Sequence, residues 1–208
     1  MIEGREEKGQ ELDSSEPEFW NVRYATGKTP WDFRGVPAAL SAFLKSSTPG
    51  SALIPGCGAA YEVRAFCESG WSVTAIDFSR VAVKLARSQL GALADCVVLG
   101  DFFTHNFGAV HFDLIYERTF LCAMPPELWP AYANRVGQLL RSGGKLAGVF
   151  LYGEQTEPPP YPLTQNKAGE LFAERFSLVK SLRITDSLPV FEGNEHWQEW
   201  ALNGPQPS

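Results

Sequence analysis

The chain has 208 residues, 44% of them hydrophobic and 12% aromatic, which is enough to bury one core without disulfides or a structural metal and excludes wholesale disorder. Eighteen Lys and Arg against 24 Asp and Glu leave a net charge of −6, so nucleic acid and anionic membrane surfaces are poor partners. Cys57, Cys67, Cys96 and Cys122 form no C-x-x-C pair and the histidines are scattered, so neither a metal site nor a dithiol redox motif is expected.

Residues 1–16 are polar and acidic and read as a flexible tail, although Ile2-Glu3-Gly4-Arg5 also matches a protease recognition sequence. The segment 18–33 then gathers Phe19, Trp20, Tyr24, Trp31 and Phe33. Trp20 and Tyr24 stand at i, i+4 on one face of a short helix, which Gly27 and Pro30 end. Read alone, these aromatics close one end of the core.

From residue 51 the chain alternates. A short apolar strand, 51–55, runs into the turn Gly56-Cys57-Gly58 and a helix over 60–68. A strand over 72–76 ends at Asp77. A helix over 79–90 follows, with Ser79 as N-cap and Val81, Ala82, Leu85, Ala86 and Leu90 on one face. Strands at 96–99 and 112–116, a helix at 126–140 stopped by Arg141-Ser142-Gly143-Gly144, and a strand at 145–151 complete the alternation. The remainder holds a proline-rich loop, a helix at 165–176 and strands at 178–184 and 197–202. Strands separated by helices predict an α/β fold with a doubly wound, mostly parallel sheet. Two late strands without a long helix between them predict an antiparallel C-terminal hairpin at its edge. No linker divides residues 17–208, which read as a single domain. The longest apolar run, near 146–152, is far short of the roughly 20 residues of a membrane span, and no secretory signal is visible. A cytoplasmic, reduced monomer is the expectation.

An open parallel sheet binds ligands at the carboxyl ends of its strands. The first end carries Gly56-Cys57-Gly58-Ala59-Ala60, where glycine admits close approach of the backbone but the third glycine of the phosphate-gripping G-x-G-x-x-G is missing. Asp77 follows about 20 residues later, the place of an acid that accepts hydrogen bonds from ribose hydroxyls. Its bland alternative, a helix cap, is already filled by Ser79. After the third strand, Asp101 can accept from an adenine amino group with Phe102 against the ring; the alternative is a turn aspartate. Glu117 and Arg118 close the fourth strand, and two charges after an apolar run are costly to bury without partners. A ribose acid, an adenine acid and no phosphate grip fit an adenosine cofactor lacking phosphates, such as S-adenosyl-L-methionine.

The chain resembles the thiopurine S-methyltransferase superfamily, in particular its bacterial and plant members similar to halide/thiol methyltransferases. The segments that carry the resemblance are Phe19-Trp20, Tyr24, Gly27-Lys28-Thr29-Pro30-Trp31-Asp32, Leu53-Ile54-Pro55-Gly56-Cys57-Gly58, Ile76-Asp77-Phe78-Ser79, Gly100-Asp101-Phe102-Phe103, the run from Phe112 through Tyr116-Glu117-Arg118-Thr119 to Ala123, and Pro159-Pro160-Tyr161. The resemblance implies a Rossmann-like methyltransferase sheet with an N-terminal aromatic lid over 18–33. It implies that Trp20, Tyr24 and Trp31 contact the cofactor or wall the acceptor pocket, that Gly56, Asp77, Asp101 and Phe102 hold the cofactor, and that Arg118 matches the arginine of thiopurine-type members. Tyr24 departs from the tryptophan often found there, and Arg118 from the tyrosine of many plant halide-type members.

The function read from these residues is methyl transfer from S-adenosylmethionine to a small soft nucleophile: a thiol, hydrosulfide, halide or selenide. Arg118 is the catalytic candidate, as a fixed cation beside an anionic acceptor. Glu117 is placed with the cofactor residues, as a counter-charge to Arg118. Two rival readings stand beside it. A non-catalytic binding module is opposed by the intact Trp20, Trp31 and Arg118. A nucleotide-dependent oxidoreductase is opposed by the missing third glycine.

Overall fold

The computed structural model describes residues 13–154 and 158–204. Its strands are β1 (Ser51–Pro55), β2 (Ser72–Asp77), β3 (Val97–Leu99), β4 (Phe112–Arg118), β5 (Leu140–Leu151), β6 (Phe176–Arg183) and β7 (Glu195–Leu202). Its helices are α1 (Pro17–Ala25), α2 (Ala38–Ser46), α3 (Tyr61–Glu68), α4 (Arg80–Leu90), α5 (Trp129–Leu139) and α6 (Gln165–Phe172). The strands form one sheet in the order β3-β2-β1-β4-β5-β7-β6. β1 to β5 pair in parallel, while β7 runs antiparallel to both β5 and β6. The chain therefore reverses strand order between β1 and β4, where such sheets open a ligand crevice.

Successive residues of a strand face opposite sides, and the core divides accordingly. Leu53, Ile115, Leu146 and Phe150 pack with α5 and α6 through Tyr132, Val136 and Phe172. Ala52, Ile54, Leu114, Tyr116 and Val149 pack with α2, α3 and α4 through Leu40, Phe66 and Val83. Helices cover both faces, which is why the central strands carry almost no exposed side chains. The predicted cap of α4 is present: Ser79 Oγ accepts from the Ala82 amide at 3.1 Å.

Several boundaries differ from the sequence expectation. α2 has no counterpart in it, although Leu40 and Leu44 stand at helical spacing and are both buried. Arg141-Ser142-Gly143-Gly144 is an excursion inside β5: Phe112 pairs with Leu140 and Leu114 with Lys145. The loop that was to end α5 is a bulge, because β5 already begins at Leu140. α6 stops at Phe172, and β7 starts at Glu195, ahead of the expected 197. The C-terminal hairpin is present with β6 outermost. Most of the expected tail lies outside the described residues, but residues 13–16 form a turn against α1, with Ser14 buried. Among the described residues no helix is long and apolar enough to cross a membrane.

Candidate active site

The carboxyl ends of β1, β2 and β4 open into a cavity of about 860 Å³, bounded by residues from Ser14 to Gly35 and by Pro159 and Pro160. Gly56 and Gly58 have left-handed backbones, φ +57° and +52°. A Cβ on Gly56 would strike the Phe120 ring, and one on Gly58 the Tyr24 hydroxyl. The turn is thus glycine-bound on two counts, conformation and clearance.

Asp77, at the end of β2, is 8% exposed. Its carboxylate accepts from the Gly58 amide at 2.9 Å and from the Ser79 amide at 2.8 Å. Burial nonetheless pushes its carboxyl up to about 6. A carboxylate accepts about four hydrogen bonds, so lone pairs are left for a ligand in the cavity that it lines. Asp101 also lines it, but its oxygens accept from the Phe103 amide and the Thr104 hydroxyl, both at 2.9 Å. It is a turn aspartate that also lines the cavity. Phe102 is buried, edge-on to Phe120.

Trp31 stands edge-on to both Trp20, at 5.3 Å, and Tyr24, at 6.2 Å. All three line the cavity. They belong to a segment fastened at two points. The Trp20 indole donates to the Ser14 carbonyl at 2.8 Å. Asn21, buried in α1, accepts from the Ser79 hydroxyl at 2.8 Å and from the Val81 amide at 3.3 Å. The residue that caps α4 therefore also holds α1.

Arg118 lines the cavity and comes with a partner that the sequence reading missed. Its guanidinium meets Glu195 of β7 at 2.7 Å, the side chains being 10% and 0% exposed. Glu195 is held in turn by the Ser187 hydroxyl at 2.6 Å and the Leu188 amide at 3.0 Å. Phe33 lies over the guanidinium, 5.7 Å away.

The expectation for Glu117 is corrected. Alternation along β4 turns Tyr116 and Arg118 toward the face covered by α2, α3 and α4, and Glu117 toward α5. There it is 1% exposed and absent from the cavity wall. It accepts from the Phe120 and Leu121 amides at 2.7 and 2.9 Å and from the Tyr132 hydroxyl at 2.7 Å. Burial raises its carboxyl to about 7. It anchors the turn after β4; the counter-ion of Arg118 is Glu195. Glu62, in the first turn of α3, is a second missed residue: it lines the cavity and is buried. Its signal was its place one helical turn before the buried Phe66, on the inward face.

The thiopurine S-methyltransferase family matches residues 15–202. The chain belongs to that family. Among its relatives, a probable thiol methyltransferase 2 of Arabidopsis thaliana is 36% identical over 153 residues, 70% of this chain and 67% of that one. A thiocyanate methyltransferase 1 of Brassica oleracea is 32% identical over 171 residues, 79% of this chain and 71% of that one. Two solved methyltransferases share the fold. The 1,6-didemethyltoxoflavin-N1-methyltransferase of Burkholderia thailandensis, solved with S-adenosylhomocysteine, superposes with TM-score 0.71 at 22% identity, over 91% of this chain and 87% of that one. The magnesium protoporphyrin IX methyltransferase of Synechocystis, with bound S-adenosylmethionine, gives TM-score 0.70 at 13% identity, over 94% and 100%. Family and relatives make this chain an S-adenosylmethionine-dependent methyltransferase.

Proposed function

We propose that the cavity takes S-adenosylmethionine along the Gly56–Gly58 turn and Asp77, and a small thiol-type acceptor beside Arg118, for in-line transfer of the methyl group. The observation that carries this reading is the Asp77 carboxylate, tied to the glycine turn yet facing a cavity that Trp20, Tyr24 and Trp31 wall. The glycine clearance and the buried acid both fit an adenosine ligand. When bound, S-adenosylmethionine supplies a methyl group made electrophilic by a sulfonium.

The residues of the chain do the rest. Asp77 accepts from ribose hydroxyls; Asp101 and Phe102 face the adenine. Trp20, Tyr24 and Trp31 exclude water, and their ring faces suit a cation. A dry site favours a reaction in which opposite charges neutralise each other, provided both partners are held in line. Arg118, fixed by Glu195, orients the acceptor sulfur. One chain walls the cavity as described, and we read the protein as a monomer; the free cysteines suit a reducing compartment such as the cytoplasm.

The test is calorimetry with S-adenosylhomocysteine on the purified chain, followed by a methyl-transfer assay with 2-mercaptoethanol. Binding and thioether formation support the reading; a protein that binds NAD and not S-adenosylhomocysteine sinks it.

A further inference from the structure

The cavity is more acidic than a pocket for preformed anions requires. Glu16, Asp32, Glu62, Asp77 and Asp101 line it against Arg23, Lys28 and Arg118, and the Arg118 guanidinium already faces Glu195 at 2.7 Å. Of the five carboxylates, Glu16 is exposed to solvent, Asp77 and Asp101 accept the hydrogen bonds described above, and Asp32 accepts from the Arg34 amide at 2.9 Å. Glu62 is different. It is 7% exposed, and among the described residues no other residue donates a hydrogen bond to it. The charged and titratable groups around it are Arg118 and Tyr116 on β4, Asp32 after α1 and Cys57 in the glycine turn, with Glu195 of β7 behind Arg118. Burial outweighs the pull of Arg118 and raises the Glu62 carboxyl to about 7. A carboxylate so placed exchanges a proton near neutral pH. A free thiol, with a pKa of about 8.5, is mostly protonated there and mostly unreactive.

We propose that Glu62 is the general base for acceptors that arrive as neutral thiols, and that the site therefore favours such acceptors over preformed anions such as iodide. This rests on the methyltransferase reading above. The proton leaves the acceptor sulfur for a Glu62 oxygen. The freed lone pair forms the new carbon–sulfur bond as the methyl group's bond to the sulfonium breaks, that electron pair staying on the departing thioether. Glu62 then returns the proton to water, so one proton is released per methyl transferred. Arg118 steadies the developing thiolate without neutralising Glu62, because its own charge is matched by Glu195.

The experiment compares the full chain with Glu62→Gln at saturating S-adenosylmethionine, using 2-mercaptoethanol and iodide as acceptors from pH 6 to 10. With the thiol, the glutamine variant should lose about 30-fold or more at pH 7, the factor by which a thiol of pKa about 8.5 lacks thiolate there. The loss should shrink as pH rises, because the rate now follows the thiol's own ionisation. Iodide carries no proton, so its turnover should hold or rise. S-adenosylhomocysteine affinity, read by calorimetry, should stay unchanged. Glu62→Asp, which keeps a carboxylate, should restore part of the thiol rate; it carries the same pH comparison if the glutamine variant does not fold. An equal loss for thiol and iodide, or weakened S-adenosylhomocysteine binding, would place Glu62 with the cofactor and overturn the proposal. A wild-type preference for iodide at pH 7 would overturn it as well. Failure of the wild type to bind S-adenosylhomocysteine at all is a different result, which removes the methyltransferase reading itself.

Discussion

The ends of β2 and β4 each carry a buried carboxylate after an apolar run, and they put it to opposite uses. Asp77 takes two amide donors and still faces the cavity. Glu117 takes two amides and a tyrosine hydroxyl and faces only the protein. Both are raised by burial, to about 6 and about 7, so a perturbed carboxyl alone does not separate a cavity residue from an anchor. What separates them is whether lone pairs are left over and which face of the strand the residue occupies.

The contrast can be broken hardest at Glu117. Glu117→Ala strands two buried amides and the Tyr132 hydroxyl, and should cost about 3–5 kcal/mol. Urea denaturation reads this, and the surviving folded fraction should bind S-adenosylhomocysteine normally. Arg118→Met leaves Glu195 as an unpaired buried charge, a loss of about 3 kcal/mol or somewhat more. Adding Glu195→Gln should recover stability but not thiol turnover, which keeps the structural and acceptor roles of Arg118 apart. Asp77→Ala should show the reverse balance to Glu117. Calorimetry should find S-adenosylhomocysteine affinity weaker by about 1–3 kcal/mol, a larger change than the variant's shift in denaturation midpoint implies. Asn21→Ala, which frees α1 from the head of α4, should cost about 1 kcal/mol. It should also expose the bonds after Arg23 and Lys28 to trypsin, with protection returning on addition of S-adenosylhomocysteine.

The most gradual effect is spread over pH. Asp77, Glu62 and Glu117 hold their protons more tightly folded than unfolded, since burial raises all three. Their contribution to stability is complete below the unfolded carboxylate range, near pH 4, and is lost as pH climbs through about 6 to 7. The melting temperature of the ligand-free protein should therefore fall between pH 5 and 8. Glu117→Gln, which cannot ionise, should fall less steeply; a pH-independent melting temperature would refute the shifts.

The sheet and most of the cavity were legible in the sequence because each rests on a local signal. Hydrophobic runs mark the strands, Ser79 marks a helix start, and the spacing from Gly56 to Asp77 marks the crevice. The errors have physical causes. Glu117 and Arg118 pair as site residues only if the fourth strand ends at Tyr116; β4 runs on to Arg118, and its alternation sends them to opposite faces. Glu195 lies outside the strand expected from Trp197 onward, although both residues share one face of β7. The Arg118–Glu195 pair joins residues far apart in sequence, and no spacing rule reports such a contact. Asn21 was hidden between Trp20 and Tyr24, whose bulk drew the reading toward the cavity and away from the α4 contact.

β7 sits inside the sheet although the ribosome makes it after every strand it touches. During synthesis, β1 to β5 and the glycine turn can assemble while Arg118 still lacks its counter-charge and β5 still presents an open edge. The nascent chain thus holds most of its cavity wall, Arg118 included, before the residue that pairs with Arg118 exists. A ligand bound by that early half would act as a folding template, and a premature stop before Glu195 would leave a protein with an uncompensated buried arginine and an exposed sheet edge, a combination that favours aggregation over partial activity.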